Sequence, residues 1–176
     1  MISTLKKLLK KLAAATIKKY QPGIIVITGS VGKTSTKEAV YTLLRNIRKT
    51  RATSGNFNNE LGVPLAILGP WSKIEGYFFW LEVFLTGMQN LLFRSRYPEL
   101  LILEYAADKP GDIEYLLEIA RPQIAIVTAI GDIPAHVEFY NGADAIAQEK
   151  GRVIEALSPL GFGVLNFDDE IVLAMK

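Results

Sequence analysis

Residues 24–36 read Ile-Ile-Val-Ile-Thr-Gly-Ser-Val-Gly-Lys-Thr-Ser-Thr, an apolar run passing into a glycine-containing loop that ends in Gly32-Lys33-Thr34. Four apolar β-branched residues in a row, with no polar alternation, predict a strand buried on both faces. Val40, Leu43, Leu44 and Ile47 then recur at helical spacing, so strand, loop and helix form one unit. The loop suits a triphosphate: Gly29 and Gly32 let backbone N–H groups ring the phosphates, Lys33 adds a point charge, and the Thr34 hydroxyl can ligate Mg²⁺. The helix behind it turns its positive end to the same anion. Gly29, Ser30, Gly32, Lys33, Thr34 and Ser35 are therefore the candidate ATP-binding residues. The strict phosphate-loop spacing would place a glycine at 27, where this chain has Ile27, so the match is the shorter Gly-x-x-Gly-Lys-Thr form.

Outward from this unit, strand-like runs at 23–28, 99–104, 123–130 and 161–166, with a weaker one near 50–53, alternate with helical patterns. The helices are predicted at 33–48, 59–68, 76–95, 111–120 and 142–157. The strands lack polar alternation, which predicts an α/β fold: a largely parallel sheet flanked by helices, a P-loop-type nucleotide-binding domain. A chain of 176 residues suits one packed domain. The division expected is a basic amphipathic helix or linker over 1–22, then the nucleotide-binding domain over 23–176. Asn166-Phe-Asp-Asp-Glu170 reads as a strand exit capping a helix that stops at Lys176, so the domain is expected to be truncated at its C-terminal end.

A net charge of +2, with no basic stripe interleaved with aromatics, argues against nucleic acid as a partner. The absence of cysteine excludes disulfides and thiolate metal sites and fits a cytoplasmic protein, and no secretory signal is present. Two segments invite a peripheral membrane or partner contact. Residues 2–20 set Leu5, Leu8, Leu9 and Leu12 against Lys6, Lys7, Lys10 and Lys11 and stop at Pro22-Gly23. Residues 76–95 hold a long apolar run, but Glu82, Gln89 and Asn90 would be costly in hydrocarbon, so a buried or partner-binding helix is expected.

Ligands of doubly wound sheets bind beyond the carboxyl ends of the strands. Glu104 ends a buried strand there and could hold Mg²⁺ directly or through water. His136, the only histidine, follows the 123–130 strand opposite the phosphate loop, with Glu138 two residues on. Lys150 falls at the centre of the apolar face made by Ile146, Ala147, Val153, Ile154 and Leu157, where a bare ammonium is costly unless paired, modified or snorkelled out. Asn56, Asn58 and Asn59 cluster on a loop entering a helix, where they suit a polar ligand or serve as turn and cap residues.

Taken together, these residues resemble the Mur ligase family in its central ATP-binding domain, and within it the branch that adds D-alanyl-D-alanine to a UDP-muramoyl tripeptide. The resemblance rests on Thr28-Gly-Ser-Val-Gly-Lys-Thr-Ser-Thr-Lys-Glu38, Ser54-Gly-Asn-Phe-Asn-Asn-Glu-Leu-Gly-Val-Pro64, Glu104, Pro110-Gly-Asp-Ile, Ile130-Gly131 with Ala135-His-Val-Glu138, Ala147-Gln-Glu-Lys-Gly151 and Asn166-Phe-Asp-Asp169. It implies an ATP-dependent ligase that joins a carboxylate to an amine through an acyl phosphate in peptidoglycan precursor synthesis. Lys33, Lys150 and His136 would be catalytic. Thr34, Glu104 and His136 would hold Mg²⁺, Asn166 would lie near the nucleotide, and Asn56, Asn58 and Asn59 would face a UDP-muramoyl-peptide-like substrate. Lys150 matches the lysine carbamylated in this family. The chain departs from the family in having only about twenty residues before the loop, Glu104-Tyr-Ala-Ala for the usual Glu-Met-Gly, Ala129 where asparagine is common, and a longer Ile130–His136 connection. Without the amine-delivering domain, little turnover is expected of this chain alone. Folylpolyglutamate and cyanophycin synthetases share the loop without the asparagine run. A reading of another class is a non-catalytic nucleotide-binding or assembly module that docks through 2–20 and 76–95.

Overall fold

The computed structural model describes residues 2–93, 96–131, 140 and 142–176. In chain order the elements are α1 (Ile2–Tyr20), β1 (Gly23–Thr28), α2 (Lys33–Leu44), β2 (Thr50–Ala52), α3 (Gly62–Leu68), α4 (Gly76–Leu92), β3 (Leu100–Glu104), α5 (Asp112–Leu117), β4 (Ile124–Val127), α6 (Ala143–Glu155), β5 (Phe162–Leu165) and α7 (Glu170–Leu173). The strands form one parallel sheet in the order β2-β3-β1-β4-β5. Central β1 pairs on one side with β3, Ile25 opposite Ile102, and on the other with β4, Ile25 opposite Ile124. This is the α/β architecture predicted from the buried strands. The loop after β1 opens at the point where the chain crosses from one side of the sheet to the other.

Side-chain alternation divides the sheet into two unequal faces. Ile24, Val26, Leu101, Leu103, Ala125 and Val127 enter the main core, which α1, α3, α4, α5 and α6 cover. Ile25, Ile27 and Ile102 face α2, which meets them with Val40, Tyr41 and Leu44. The expected stripe on α2 is thus only half right, because Leu43 and Ile47 point to solvent. Cover is also partial on this face: Phe162 and Val164 of β5 are exposed beyond the reach of α2.

Several boundaries move for identifiable reasons. Helix α3 starts at Gly62 rather than 59 because Asn59 Oδ1 accepts from the Leu61 and Gly62 N–H groups. Strand β4 stops at Val127, two residues before Ala129, whose carbonyl accepts from Ser30 of the loop after β1. Helix α1 is part of the main core, with Leu9, Leu12 and Ala13 buried and Lys6 and Lys10 paired to Glu60 and Glu118. Its approach to α4 needs Gly87, where a Cβ would stand 2.3 Å from Leu12 Cδ2. Arg51 of β2 donates to the Ala66 and Ile67 carbonyls and so closes the C-terminal end of α3.

Candidate functional site

Strand β1 delivers the loop to the carboxyl edge of the sheet. Gly29 (φ +143°) and Gly32 (φ +85°) take conformations that side chains rarely adopt, and a Cβ on Gly29 would stand 2.1 Å from Thr128 Oγ1. The loop is pinned from the β4 side: Ser30 N donates to Ala129 O at 2.6 Å, and Thr128 Oγ1 donates to Val31 O at 2.6 Å. Gly32 opens α2, whose first N–H groups have no acceptor within the helix and point a positive dipole at the mouth. Lys33 Nζ folds back onto the Gly29 carbonyl at 2.9 Å and the Ser30 carbonyl at 3.2 Å. Ser30 Oγ is buried with no hydrogen-bond partner among the described residues. Ser35 is exposed on the first turn of α2.

Glu104 is the hub of the site. The Thr34 hydroxyl donates to its Oε2 at 3.1 Å and Asn58 Nδ2 to its Oε1 at 3.1 Å, while its own N–H donates to Thr53 Oγ1. Thr34, Asn58 and Glu104, singled out separately in the sequence, therefore meet at one carboxylate. A carboxylate beside a hydroxyl is a hard-oxygen pair, the donor chemistry that suits Mg²⁺. Among the described residues no cluster of three His, Cys, Asp or Glu stands there. A cation would therefore keep water or phosphate oxygens, as Mg²⁺ commonly does.

Lys150 arrives from α6 on the opposite side of the loop. Its amine is buried and donates to the Gly29 carbonyl at 3.2 Å, the same oxygen that Lys33 uses. Burial, followed by the Lys33 charge, pulls the Lys150 pKa from its ordinary 10.5 down to about 8. Two residues that the sequence reading passed over complete this arrangement. Glu149, buried, accepts from the Gly111 and Ile113 N–H groups and ties α6 to the start of α5. Lys37, wholly buried on α2, lies 3.2 Å from Glu38 and 3.9 Å from Glu104, with no hydrogen bond among the described residues. Its signal was available: Lys37, Val40, Tyr41 and Leu44 form the i, i+3, i+4, i+7 stripe that the helix actually buries.

Asn166 lies across the loop from Glu104, at the end of β5. With Gly32, Thr36, Thr128 and Ala129 it lines a cavity of about 400 Å³, and its own Oδ1 accepts from Asp168 N. Asp169 caps α7 through Val172 N and also accepts from Ile130 N at 2.8 Å and Gly131 N at 3.1 Å. Although burial pushes the carboxyl up, these N–H donors hold its pKa below the usual aspartate value. His136 and Glu138 lie outside the described residues. Asn56 is exposed at the loop tip, and the Asn59 side chain is committed to capping α3.

The Mur ligase middle domain pattern matches this chain over residues 27–83 and 84–176, two segments that meet inside α4. The UDP-N-acetylmuramoyl-tripeptide–D-alanyl-D-alanine ligase of Mycobacterium tuberculosis is 37% identical over 170 residues, 95% of this chain but 28% of that protein. The MurF structure from Acinetobacter baumannii superposes with a TM-score of 0.74 at 27% identity, covering 97% of this chain and 32% of its own. The MurF ligase of Thermotoga maritima in complex with ADP gives 0.72 at 34% identity, covering 93% of this chain and 32% of its own. The chain thus spans roughly a third or less of the relatives it matches. With a parallel sheet, a glycine-hinged loop and Glu104, Lys33 and Lys150 converging at its mouth, the chain belongs to the Mur ligase family through its middle domain.

Proposed function

We propose that this chain is the ATP-binding core of an ATP-dependent ligase that joins a UDP-muramoyl-peptide carboxylate to an incoming amine in the cytoplasm. The observation that carries this reading is the convergence of Lys33 and Lys150 on the Gly29 carbonyl, on the loop that also sets Thr34 against Glu104. The reaction requires a carboxylate oxygen to attack the γ-phosphorus, releasing ADP and leaving an acyl phosphate. The amine then displaces phosphate from the acyl carbon. Both partners of the first step are anions, so this chain's task is to position them and neutralise charge. Lys33 would leave its own loop's carbonyls for the phosphates, joined by the N–H groups at the start of α2. Glu104 and Thr34, with His136 as the ligand the resemblance implies, would hold Mg²⁺, which supplies further charge neutralisation when bound. Asn166 would border the nucleotide, and Asn56, on the loop that Asn58 and Asn59 hold in place, the substrate side.

Lys150 has a second role in this reading. Its depressed pKa leaves roughly a tenth of the amine neutral at pH 7, far more than an ordinary lysine. A neutral amine can add to the carbon of CO₂ and release a proton, which gives a carbamate. That converts a buried cation into an anion able to bind a cation or to orient the γ-phosphate. Isothermal titration with a non-hydrolysable ATP analogue tests the core of the proposal. Mg²⁺-dependent binding is expected to weaken on the order of a hundredfold in Lys33→Ala, the loss of about two charge-assisted hydrogen bonds. Equal binding by the variant would remove the loop from the site.

A further inference from the structure

The outer face of α4 has no task in the nucleotide chemistry. Phe78, Leu81, Leu85, Met88 and Leu92 are all exposed and recur at spacings of three and four, one unbroken line along the helix. The opposite face is packed on Phe79, Val83 and Gly87, so the outer line is no accident of a loosely attached helix. Contiguous exposed apolar surface of this kind marks an interaction site. Glu82, the one charged residue of α4, and Gln89 lie along one edge of the line rather than within it.

Its neighbour supplies the sign of the partner. Helix α1 contains six lysines and no acidic residue. It is fixed alongside α4 by Leu12 against Gly87 and by Lys19, whose Nζ takes the carbonyls of Asn90, Leu91 and Phe93. Leu8, one turn before Leu12 on α1, is half-exposed. Lys7, Lys11 and Lys18 fall on a single line of α1 and are exposed, in contrast to Lys6 and Lys10 with their glutamate partners. Among the described residues no helix is long and apolar enough to cross a membrane, so a bilayer contact here would lie in the surface plane.

We propose that α1 and α4 together form an in-plane docking surface for an anionic lipid bilayer. The α4 line would enter the boundary between headgroups and acyl chains, with the α1 lysines over the phosphates. Charge selects this occupant over a second copy of the chain, because a symmetric pairing through the patch would bring two rows of lysines together. The proposal is independent of the nucleotide site.

Flotation of the whole chain with vesicles tests it. The chain is expected to float with phosphatidylcholine vesicles containing phosphatidylglycerol, and to be released by salt or by omission of the anionic lipid. Replacing Lys7, Lys11 and Lys18 with glutamine should weaken binding roughly a hundredfold, from the usual contribution of a lysine near such a surface. L81E/L85E should abolish it. Both variants should keep the circular dichroism and the nucleotide affinity of the parent, which separates a failure of docking from a failure of the fold or the ATP site. Equal flotation with neutral and anionic vesicles, or no flotation, would overturn the proposal. A concentration-dependent dimer in sedimentation velocity that L81E/L85E dissolves would overturn it too, and would assign the line to a second copy.

Discussion

At the mouth of the sheet Lys37, Glu104 and Lys150 are at most 2% exposed, while along α4 Phe78 is 80% and Leu92 68% exposed. One region buries charge and the other exposes apolar surface, so each reverses the usual partition of residues between core and water. The free-energy consequences differ in kind. Burying an ammonium costs stability in the folded chain itself, and the cost is offset only by partners: Gly29 O for Lys150, the Glu104 and Glu38 carboxylates for Lys37. Exposing leucine costs nothing that the unfolded chain does not also bear. The mouth should therefore be sensitive to substitution and pH, and the α4 line indifferent to both.

Lys150 gives the largest expected effect. Its folded pKa of about 8 lies below the unfolded value near 10.5, so the unfolded chain binds more protons between those two pH values. Stability should rise with pH across that window, by up to about 3 kcal/mol, and the gain should be absent below pH 8. Lys150→Met should remove this rise and be the more stable protein at pH 7. Denaturant unfolding of both proteins at pH 7 and pH 10 measures it. A parallel pH dependence in the variant would mean that Lys150 is solvated in solution, and the contrast with α4 would collapse.

The second test concerns Lys37. Lys37→Met removes a cation from beside Glu104 and leaves the carboxylate buried, a loss expected to cost about 2–3 kcal/mol. Lys37→Met combined with Glu104→Gln should recover most of it, because no uncompensated charge then remains. A double-mutant cycle by chemical denaturation supplies the coupling. Additive losses would show that Lys37 and Glu104 do not sense each other across 3.9 Å.

Much of this architecture was legible in the sequence because buried parallel strands announce themselves as apolar runs. All five strands and the helices at 2–20, 76–92 and 143–155 lie where the pattern places them. The α2 stripe lies three residues earlier than apolar periodicity places it, for a physical reason. Counting only apolar residues favours Val40, Leu43, Leu44 and Ile47, whereas the helix turns a lysine inward and leaves Leu43 and Ile47 wet. A charged residue on an inward stripe is passed over when only apolar residues are counted, although Val40, Tyr41 and Leu44 mark the stripe it shares, and its partner, Glu104, is 67 residues away in the chain. Lys150 was found because its apolar neighbours were unambiguous. The asparagine run divides along the same lines: Asn58 reaches Glu104, but Asn59 spends its side chain on a helix end, which composition alone could not separate.

The smallest expected effect is the most pointed test of the comparison. Leu85→Ser changes a residue that is 61% exposed on the outer line of α4, away from the packing made by Phe79 and Val83. If that line faces water in the isolated chain, the substitution removes little buried area and should change stability by no more than about 0.5 kcal/mol. Val83→Ala, two residues back but fully buried, should cost about 1–2 kcal/mol by the area and cavity it leaves. The pair can be measured together by urea denaturation in the absence of lipid. A loss at Leu85 as large as that at Val83 would mean that the line is already covered in solution. The exposed face would then be an interior surface shared with another chain, and the two regions would obey one rule instead of two.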